Sequence, residues 1–390
     1  MNIQQFYTEA QQIAPWIVEN RRALHRIPED GFAEHKTQAH ITAQLDALGI
    51  PYETHLTWTV GTIAGSLPGP IVGLRADIDA LPVTEPEGCE FRSEHEGWMH
   101  ACGHDGHTAV LFGAAKLLLA HRDELHGSVR LLFQPAEETD GGAEPMVAAG
   151  AMDGVDAVYG LHLQPYLNVG KIDSCPGTLN AATNAFELVI HGKSGHAARP
   201  NEGIDAIVCA AHLITALQTA VSRSAPPIKP CVLSMGTIEG GTAKNVICDE
   251  VRIGGTLRTA DPEMRTLMKR RLHEICAGVA ATFGATIDVV LKEGYAALVN
   301  DAHEVDRLFR VAKDLLGDEN VLLNRNPSMG GEDFSYFLEK APGAFYHLGC
   351  ATQQPAPALH THEFYIDERC LPIGAALQCG LVFDYIKEVL

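Results

Sequence analysis

Short apolar runs that alternate with helical segments most constrain what this chain can fold into. Strand patterns occur at residues 57–63, 71–75, 129–133 and 157–163, and a strongly helical, Ala- and Leu-rich segment covers 108–121. Helices that alternate with largely apolar strands are typical of a sheet buried on both faces. The sequence therefore predicts an α/β layered domain around a mostly parallel sheet.

The pattern changes near residue 182. An alternating strand pattern (184–191) is followed by segments that read helix, strand, strand, helix and strand, at 205–222, 231–238, 250–258, 262–283 and 286–291. This order predicts a ferredoxin-like, antiparallel sheet with two helices on one face. Helical patterns return near 302–316 and 373–388. We therefore expect a larger domain formed by residues 1–181 and 296–390, interrupted by a smaller α+β domain at 182–295.

Composition limits the class of protein. The 390 residues carry a formal net charge of −20, which argues against a nucleic-acid-binding surface, since phosphate binding needs clustered Lys and Arg. The first residues show no signal-peptide pattern, and no apolar run approaches the length of a membrane span. Ten cysteines are scattered without a C-x-x-C pair, as expected of reduced thiols. These features predict a cytoplasmic protein without nucleic-acid or membrane partners.

Two segments carry side chains that bind first-row divalent metals. Cys102 and His104 alternate within a Gly-rich segment, so both side chains can lie on one side of it. Glu137 and Glu138 follow the apolar strand at 129–133, and point in different directions, so that one can bind a metal while its neighbour takes a proton from water. The alternative for the first segment is that Cys102 is a buried thiol beside surface imidazoles. The alternative for the second segment is that Glu137 and Glu138 form a solvated surface.

Other candidates are weak when taken one at a time. His162 ends an apolar strand pattern, where a histidine is more often a satisfied core residue, and Asp77 and Asp79 follow another strand, where they can simply cap a turn. His360 lies in a short His-rich segment. His196, Asn245 and Arg258 in the inserted segment are each compatible with a structural role, although together they could hold an oxyanion and a carboxylate. The chain has no G-x-G-x-x-G, Walker, H-E-x-x-H or G-x-S-x-G motif.

Taken together and in order, the motifs resemble one branch of the dinuclear metallopeptidases. This is the branch of aminoacylases and hippurate hydrolases that includes the plant auxin-conjugate amidohydrolases. The matching segments span nearly the whole chain, at residues 75–82, 100–108, 134–138, 160–162, 195–200, 245–247, 255–258, 331–334 and 359–360. The resemblance implies a catalytic domain with a ferredoxin-like lid that often makes the dimer contact.

The same resemblance implies roles for individual residues. It implies two divalent ions (Mn, Zn, Co or Ni) held by Cys102 as the bridging thiolate and by His104, Glu138, His162 and His360. It implies that Glu137 is the general base that takes a proton from the attacking water and returns it to the leaving amine. His196, from the lid of a second subunit, is implied as the oxyanion donor, and Asn245 and Arg258 are implied to hold the substrate carboxylate.

The implied activity is hydrolysis of N-acyl amino acids, with an acetyl, benzoyl or aryl-acyl group, by a homodimer or a tetramer. A dipeptidase, an N-acetyl-diaminopimelate deacetylase and an aminobenzoyl-glutamate hydrolase remain alternatives with the same mechanism. A catalytically silent metal- or metabolite-binding relative and a hydrolase with Cys102 as nucleophile are alternatives of another class. Asn201 and His362 depart from the family pattern, which commonly has His and Pro at these positions. Asp77 and Asp79 are candidates for contacts to the metal ligands, and their roles are left open.

Overall fold

The protein is described by a computed structural model that covers residues 2–390 and divides into two compact units. The larger unit runs up to Gly177 and also contains Val299–Arg325 and Asp333–Leu390. The smaller unit consists of Thr178–Leu298 and Asn326–Glu332. The chain thus leaves the larger unit after its first half and returns to it twice.

The regular elements are numbered along the chain. The helices are α1 (Ile3–His25), α2 (His35–Leu48), α3 (His104–Ala120), α4 (Ala143–Ala148), α5 (Ala206–Thr219), α6 (Pro262–Phe283), α7 (Ala302–Leu316), α8 (Ser335–Leu338) and α9 (Leu371–Val389). The strands are β1 (Tyr52–His55), β2 (Trp58–Ala64), β3 (Leu67–Asp77), β4 (His126–Gln134), β5 (Ala157–Asn168), β6 (Ile172–Ser174), β7 (Gly177–Asn180), β8 (Ala182–His191), β9 (Gly195–His196), β10 (Cys231–Gly240), β11 (Val246–Ile247), β12 (Glu250–Thr259), β13 (Thr286–Glu293), β14 (Leu298–Asn300), β15 (Val321–Leu323) and β16 (Gly343–Ala351).

An eight-stranded sheet organises the larger unit, in the order β1-β2-β4-β3-β5-β16-β6-β15. Its four central strands, β4, β3, β5 and β16, are parallel to one another. Helices α1, α3 and α9 contact one another, and α3 and α9 also contact β3. The inner residues of these helices and strands form one continuous apolar core. The parallel centre places several carboxyl-terminal strand ends along one edge, where α/β sheets commonly hold their sites.

A four-stranded antiparallel sheet organises the smaller unit, in the order β10-β12-β8-β13. Helices α5 and α6 pack on it through a separate apolar core. An aspartate, Asp205 or Asp261, directly precedes each of these helices, and its carboxylate accepts backbone N–H groups of the first turn. This is the ferredoxin-like strand order that the β-α-β-β-α-β pattern predicts.

One helix of the described residues, Ala206–Ser224, is long and apolar enough to cross a membrane by length and composition alone. Core helices of soluble proteins pass the same test. Here Cys209, Leu213 and Leu217 are buried in the core of the smaller unit. One face of this helix therefore packs on the antiparallel sheet, whereas Ile207 and Val208 on the same helix are exposed.

The predicted α/β class with a mostly parallel sheet is confirmed. No sequence pattern predicts a strand at β16, although this strand is buried along its whole length at the centre of the large sheet. The segment contains two glycines and two alanines but no β-branched residue, so its composition gives only a weak strand signal. The segment Asn326–Glu332 joins the smaller unit, in contrast to the single uninterrupted lid predicted at 182–295.

Candidate metal centre

Polar side chains form a row across the central strands of the large sheet. In the strand register, Asp77 of β3 pairs with Gln134 of β4, and His162 of β5 pairs with His347 of β16. Arg75 pairs with Gly160, so Asp77 and His162 lie at the same level. Residues at one level of adjacent parallel strands face the same side of the sheet. The row thus brings together residues that are far apart in the sequence.

Cys102 and His104 approach this row from the start of α3. Gly103 separates them and has φ 91°, a left-handed conformation that is costly for residues with a Cβ. The Cys102 Sγ lies 3.2 Å from the His162 Nε2. Three groups of candidate ligands have all their donor atoms within 4.8 Å of one another: Cys102, His104 and His162; Cys102, Glu138 and His360; and His104, Glu137 and Glu138.

Hydrogen bonds orient two of these imidazoles for ligation. The His162 Nδ1 lies 2.9 Å from the Leu163 carbonyl oxygen, which can only accept, so Nδ1 carries the proton and the lone pair of Nε2 faces the Cys102 Sγ. The His104 Nδ1 lies 3.1 Å from an Asp79 carboxylate oxygen, which accepts in the same way. Metal-binding histidines usually donate their second ring N–H to a carbonyl or a carboxylate. Both side chains therefore have the orientation of metal ligands.

His107 lies beside them but has no nitrogen left for a metal. Its Nε2 accepts the backbone N–H of Leu163 at 2.8 Å, and its Nδ1 lies 2.5 Å from Asp77. An imidazole that accepts at Nε2 must be protonated at Nδ1, so Asp77 is the acceptor there. His107 forms a compact group with Asp77 and His104. Its hydrogen bonds, however, fix the positions of Asp77 and Leu163 and leave no nitrogen to bind an ion.

The two glutamates stand on a strained turn that follows β4. Ala136, directly before Glu137, has φ 55°, which is unusual for a residue with a Cβ. Its N–H donates to the buried Glu34 carboxylate at 2.9 Å, and the Glu138 N–H donates to Asp79 at 2.9 Å. A Cβ on Gly31 would lie 2.9 Å from the Ala136 Cβ, so a glycine is required where the chain passes this turn. Two carboxylates thus hold the backbone that carries Glu137 and Glu138.

His360 comes from a loop between β16 and α9. Its Nε2 lies 3.0 Å from Glu138, and its backbone N–H donates to the Ala101 carbonyl at 2.9 Å. It has φ 63°, and 52% of its side chain is exposed. His360 is therefore the solvent-facing member of the ligand group, whereas Cys102, His104 and His162 are buried.

The buried side chain of Arg75 forms hydrogen bonds to residues at the ends of β3 and β4. Arg75 is fully buried and donates to Asp77 at 2.7 Å, to Gln134 at 2.7 Å and to Asp333 at 3.1 Å. Asp333 also accepts from Gln134 and from the Ala143 N–H. A buried ion pair is stable only when its remaining hydrogen-bonding atoms are satisfied, and this network satisfies them.

The electrostatics of the group favour a cation. Burial alone would lower the pKa of His104, but the carboxylates of Asp77 and Asp79 outweigh it and raise this pKa to about 10. Burial holds the pKa of His162 well below its usual range, so this imidazole is neutral. Burial and the adjacent Glu138 raise the pKa of Cys102 well above its usual range. A metal ion that binds here would displace the protons of Cys102 and His104.

The residues present fit a metal centre. Among the residues that the structure describes, the buried Nε2 of His104 has no hydrogen-bond partner, although its neighbours are carboxylates and a thiol. Burying a polar atom without a partner is costly, and a bound cation would supply one. Thiolate, imidazole and carboxylate together suit zinc and related first-row ions.

The remaining predicted residues belong to the smaller unit. His196 on β9 pairs with Val246 on β11, and the Asn245 carbonyl accepts the Ala197 N–H at 3.1 Å. Both His196 and Asn245 are exposed. Arg258, near the end of β12, donates to the Met329 carbonyl at 2.9 Å. The structure therefore brings His196 and Asn245 together and places Arg258 on another sheet of the same unit.

The two departures from the family pattern lie at the surface. Asn201 is exposed in a short 3-10 turn, Pro200–Glu202. His362 is exposed two residues after His360. Neither side chain belongs to the candidate ligand groups given above.

Sequence reasoning missed Glu34 and did not assign roles to Arg75 and Asp333. Glu34 precedes α2 and looks like an ordinary surface glutamate, because the burial comes from the turn at Ala136, about one hundred residues later. Arg75 offered a signal, since a charged residue at the end of an apolar strand needs a buried partner. The roles of Asp77 and Asp79, which were left open, are resolved as hydrogen bonds to His107 and His104.

Comparisons with known proteins place the chain in a family. The chain matches the model of peptidase family M20/M25/M40 over residues 73–384. It is 36% identical to thermostable carboxypeptidase 1 of Saccharolobus solfataricus, with 99% of each chain covered. It is 42% identical to the N-acetyl-L-cysteine deacetylase of Bacillus subtilis, covering 90% of this chain and 83% of that protein.

Among solved structures, the YXEP protein of Bacillus subtilis, described as a dinuclear metal binding peptidase from the M20 family, superimposes with a TM-score of 0.86. The two sequences are 33% identical, and the match covers 97% of this chain and 99% of that one. These matches confirm the resemblance inferred from the motifs. The chain belongs to peptidase family M20/M25/M40 and is a metal-dependent amidohydrolase of that family.

Proposed function

We propose that this protein hydrolyses N-acyl amino acids, with an acetyl, benzoyl or aryl-acyl group, to a carboxylate and a free amino acid. The observation that carries the proposal is the position of Glu137. Its carboxylate lies within 4.8 Å of ligand atoms of both His104 and Glu138. A carboxylate beside a metal-ligand group is suited to accept a proton from an attacking water.

Each residue has a distinct task in this proposal. Divalent ions at the centre would polarise the amide carbonyl and lower the pKa of water. Glu137 takes the proton of the attacking water and gives it to the leaving nitrogen. His196 donates a hydrogen bond to the oxyanion, and Arg258 and Asn245 bind the carboxylate of the amino-acid half.

The similarity to a deacetylase named for N-acetyl-L-cysteine supports the substrate class, because that compound is an N-acyl amino acid. The acidic net charge of −20 adds a requirement. An anionic substrate needs local positive charge against such a field, which the metal ions and Arg258 would supply. We extend the proposal to a homodimer formed through the smaller unit and to a cytoplasmic location.

Peptide hydrolysis is the second candidate, and a specific similarity favours it. Thermostable carboxypeptidase 1 is named for release of a carboxyl-terminal residue and matches the chain over 99% of its length. Both candidates cleave an amide bond next to an amino acid with a free carboxylate. They differ in the group on the other side of that bond, which is an acyl group in one case and a peptide in the other.

A substrate panel separates the candidates. Amino-acid release would be measured for N-acetyl, N-benzoyl and indoleacetyl amino acids and for dipeptides. Each assay would follow chelation and re-addition of manganese, zinc, cobalt or nickel. We expect metal-restored cleavage of N-acyl amino acids, with Glu137→Gln as the inactive control that retains metal.

Preferred cleavage of dipeptides would replace the first candidate by the second. No cleavage by the metal-loaded protein would contradict both and favour a metal- or metabolite-binding role. A trapped acyl-thioester on Cys102 would instead identify a nucleophilic thiol and contradict its role as a ligand.

A further inference from the structure

A second group of metal-binding side chains lies in the larger unit, apart from the centre described above. His25 ends α1, and Glu85 and Cys89 lie in segment 82–98, which contains turns and bends rather than helix or strand. One ligand atom from each of the three residues lies within 4.8 Å of the other two. His25 and Glu85 are only 3% and 5% exposed, whereas Cys89 is partly exposed.

The imidazole of His25 is held in the orientation of a metal ligand. Its Nδ1 lies 2.7 Å from the Asp105 carboxylate, which is itself paired with Arg21 at 2.8 Å. This contact leaves Nε2 directed at Glu85, 3.1 Å away. A histidine that donates one ring N–H to a fixed carboxylate and presents the other nitrogen is the usual arrangement at protein metal sites.

Glu85 and Cys89 complete the set of donors. One Glu85 oxygen accepts the Ser93 N–H at 2.7 Å, which fixes the carboxylate, and the other faces His25. The Cys89 thiol is hydrogen-bonded to the same carboxylate. Ligands bound to one tetrahedral zinc ion at 2.0–2.3 Å lie roughly 3–4 Å apart, and the 3.1 Å between the His25 Nε2 and the Glu85 carboxylate falls in that range.

The neighbouring cations are already neutralised. Arg21 and Arg22 stack over the Phe91 ring at 4.8 and 4.7 Å. Arg21 pairs with Asp105, and Arg22 binds Glu368 through two bonds of 2.8 and 2.7 Å. Repulsion of an incoming ion is therefore reduced by carboxylates that are already in place.

The surroundings also contain an unsatisfied imidazole. His100 is 1% exposed, and neither of its nitrogens has a hydrogen-bond partner among the residues that the structure describes. Its ring centroid is 6.2 Å from that of His25. A buried polar group without a partner indicates that water or another ligand occupies this region when the protein is in solution.

We propose that His25, Glu85 and Cys89 form an additional site for a thiophilic divalent ion such as zinc, with water as its remaining ligand. Three protein ligands and an open position are a known zinc arrangement. An ion bound there would join segment 82–98 to α1. Because Asp105 directly follows His104, the additional site would share a support with the candidate metal centre without sharing a ligand.

Metal content tests this proposal without any assay of activity. The full chain would be stripped with a chelator, reloaded with zinc and freed of unbound ion before zinc per chain is measured. We expect three equivalents for the unaltered protein and two for Cys89→Ser. Cys231→Ser is the matched control, since Cys231 is also partly exposed but lies on β10 of the smaller unit, and it should keep three.

The same measurement in Glu138→Ala separates the two sites. The zinc equivalent that depends on Cys89 should still bind when Glu138→Ala impairs ligation at the first centre. This result does not depend on which substrate the protein hydrolyses. Equal zinc content with and without the Cys89 side chain would overturn the proposal.

A measurement on the unaltered chain covers the case in which Cys89→Ser does not fold. Iodoacetamide labelling, read for each peptide by mass spectrometry, should modify Cys89 in the stripped protein. Zinc should protect Cys89 at least tenfold and leave Cys231 unaffected. Equal labelling of Cys89 with and without zinc would contradict a site at this position.

Discussion

The candidate residues of the larger unit and those of the smaller unit differ in how firmly they are held. In the larger unit, His104 and His162 are buried, and each has one nitrogen fixed by a neighbouring acceptor. In the smaller unit, His196 and Asn245 are exposed. The proposed ion binding would therefore use a preformed, cross-linked cluster, whereas the proposed substrate contacts would come from exposed residues.

The largest effect is expected at Glu137. Glu137→Gln keeps the size of the side chain but removes its basicity, so kcat should fall by roughly 10²–10⁴ while metal content stays the same. Steady-state kinetics and metal analysis of the same preparation would check this. Activity within a few-fold of the unaltered enzyme would show that another group takes the proton.

His196 tests the other side of the comparison. His196→Ala should lower kcat by about 10²–10³ if it donates to the oxyanion. Metal content should not change, since the residue belongs to the smaller unit. A loss of metal in this variant would contradict the prediction that only residues of the larger unit affect ion binding.

Asp79 tests whether the cross-links of the larger unit matter for ion binding. Asp79→Asn weakens the acceptor of His104 and should reduce metal affinity about 10- to 100-fold. Competition with a chromophoric chelator would measure the change. Asp156→Asn is the matched control, because Asp156 also accepts a backbone N–H, from Ile71 at 2.8 Å, near the opposite end of β3. Equal affinities of the two variants would refute the supporting role of Asp79.

Arg258 should affect substrate binding alone. Arg258→Ala should raise KM for carboxylate-bearing substrates roughly ten- to one-hundredfold, since charge-assisted bonds are worth about 1.5–3 kcal/mol. Substrate amides that lack the carboxylate should be much less affected. An unchanged KM would move the carboxylate-binding site elsewhere.

The smallest change concerns stability. Burial raises the pKa of Glu34 to about 7 from its ordinary 4.5, so the folded, metal-free protein binds the proton more tightly than the unfolded chain. Stability from this group is therefore complete at low pH and falls as pH rises from about 4.5 to 7, by up to about 3 kcal/mol. Urea unfolding at pH 5 and pH 8 should show that Glu34→Gln gains stability relative to the unaltered protein at the higher pH. A constant difference would mean that Glu34 is ionised in the fold.

The sequence predicted β3, β4 and β5 from their apolar runs and α5 and α6 from their helical patterns. It also assigned metal-ligand roles to Cys102, His104 and Glu138, which stay predictions. Those residues stand in short motifs whose donor types are informative by themselves. The predicted lid and its role in dimer contact stay predictions, as do the assignments of His196, Asn245 and Arg258.

What the sequence could not predict depends on contacts between distant segments. The bond from Ala136 to Glu34 and the bond from Arg75 to Asp333 join residues about 100 and 258 positions apart. No local pattern encodes such pairs, because either partner alone is an ordinary charged residue. Strand β16 was missed because its two glycines, two alanines and lack of β-branched residues give only a weak local strand signal.

The place of β16 between β5 and β6 has a consequence for synthesis on the ribosome. All strands of the ferredoxin-like sheet lie before Gly294 in the chain. The large sheet cannot be completed until Gly343–Ala351 has been synthesised, and Arg75 cannot pair with Asp333 before that residue has been added. The inserted sheet can therefore be completed while the unit that began earlier still exposes an open edge. The first half of the nascent chain therefore needs protection from aggregation for longer than the middle of the chain does.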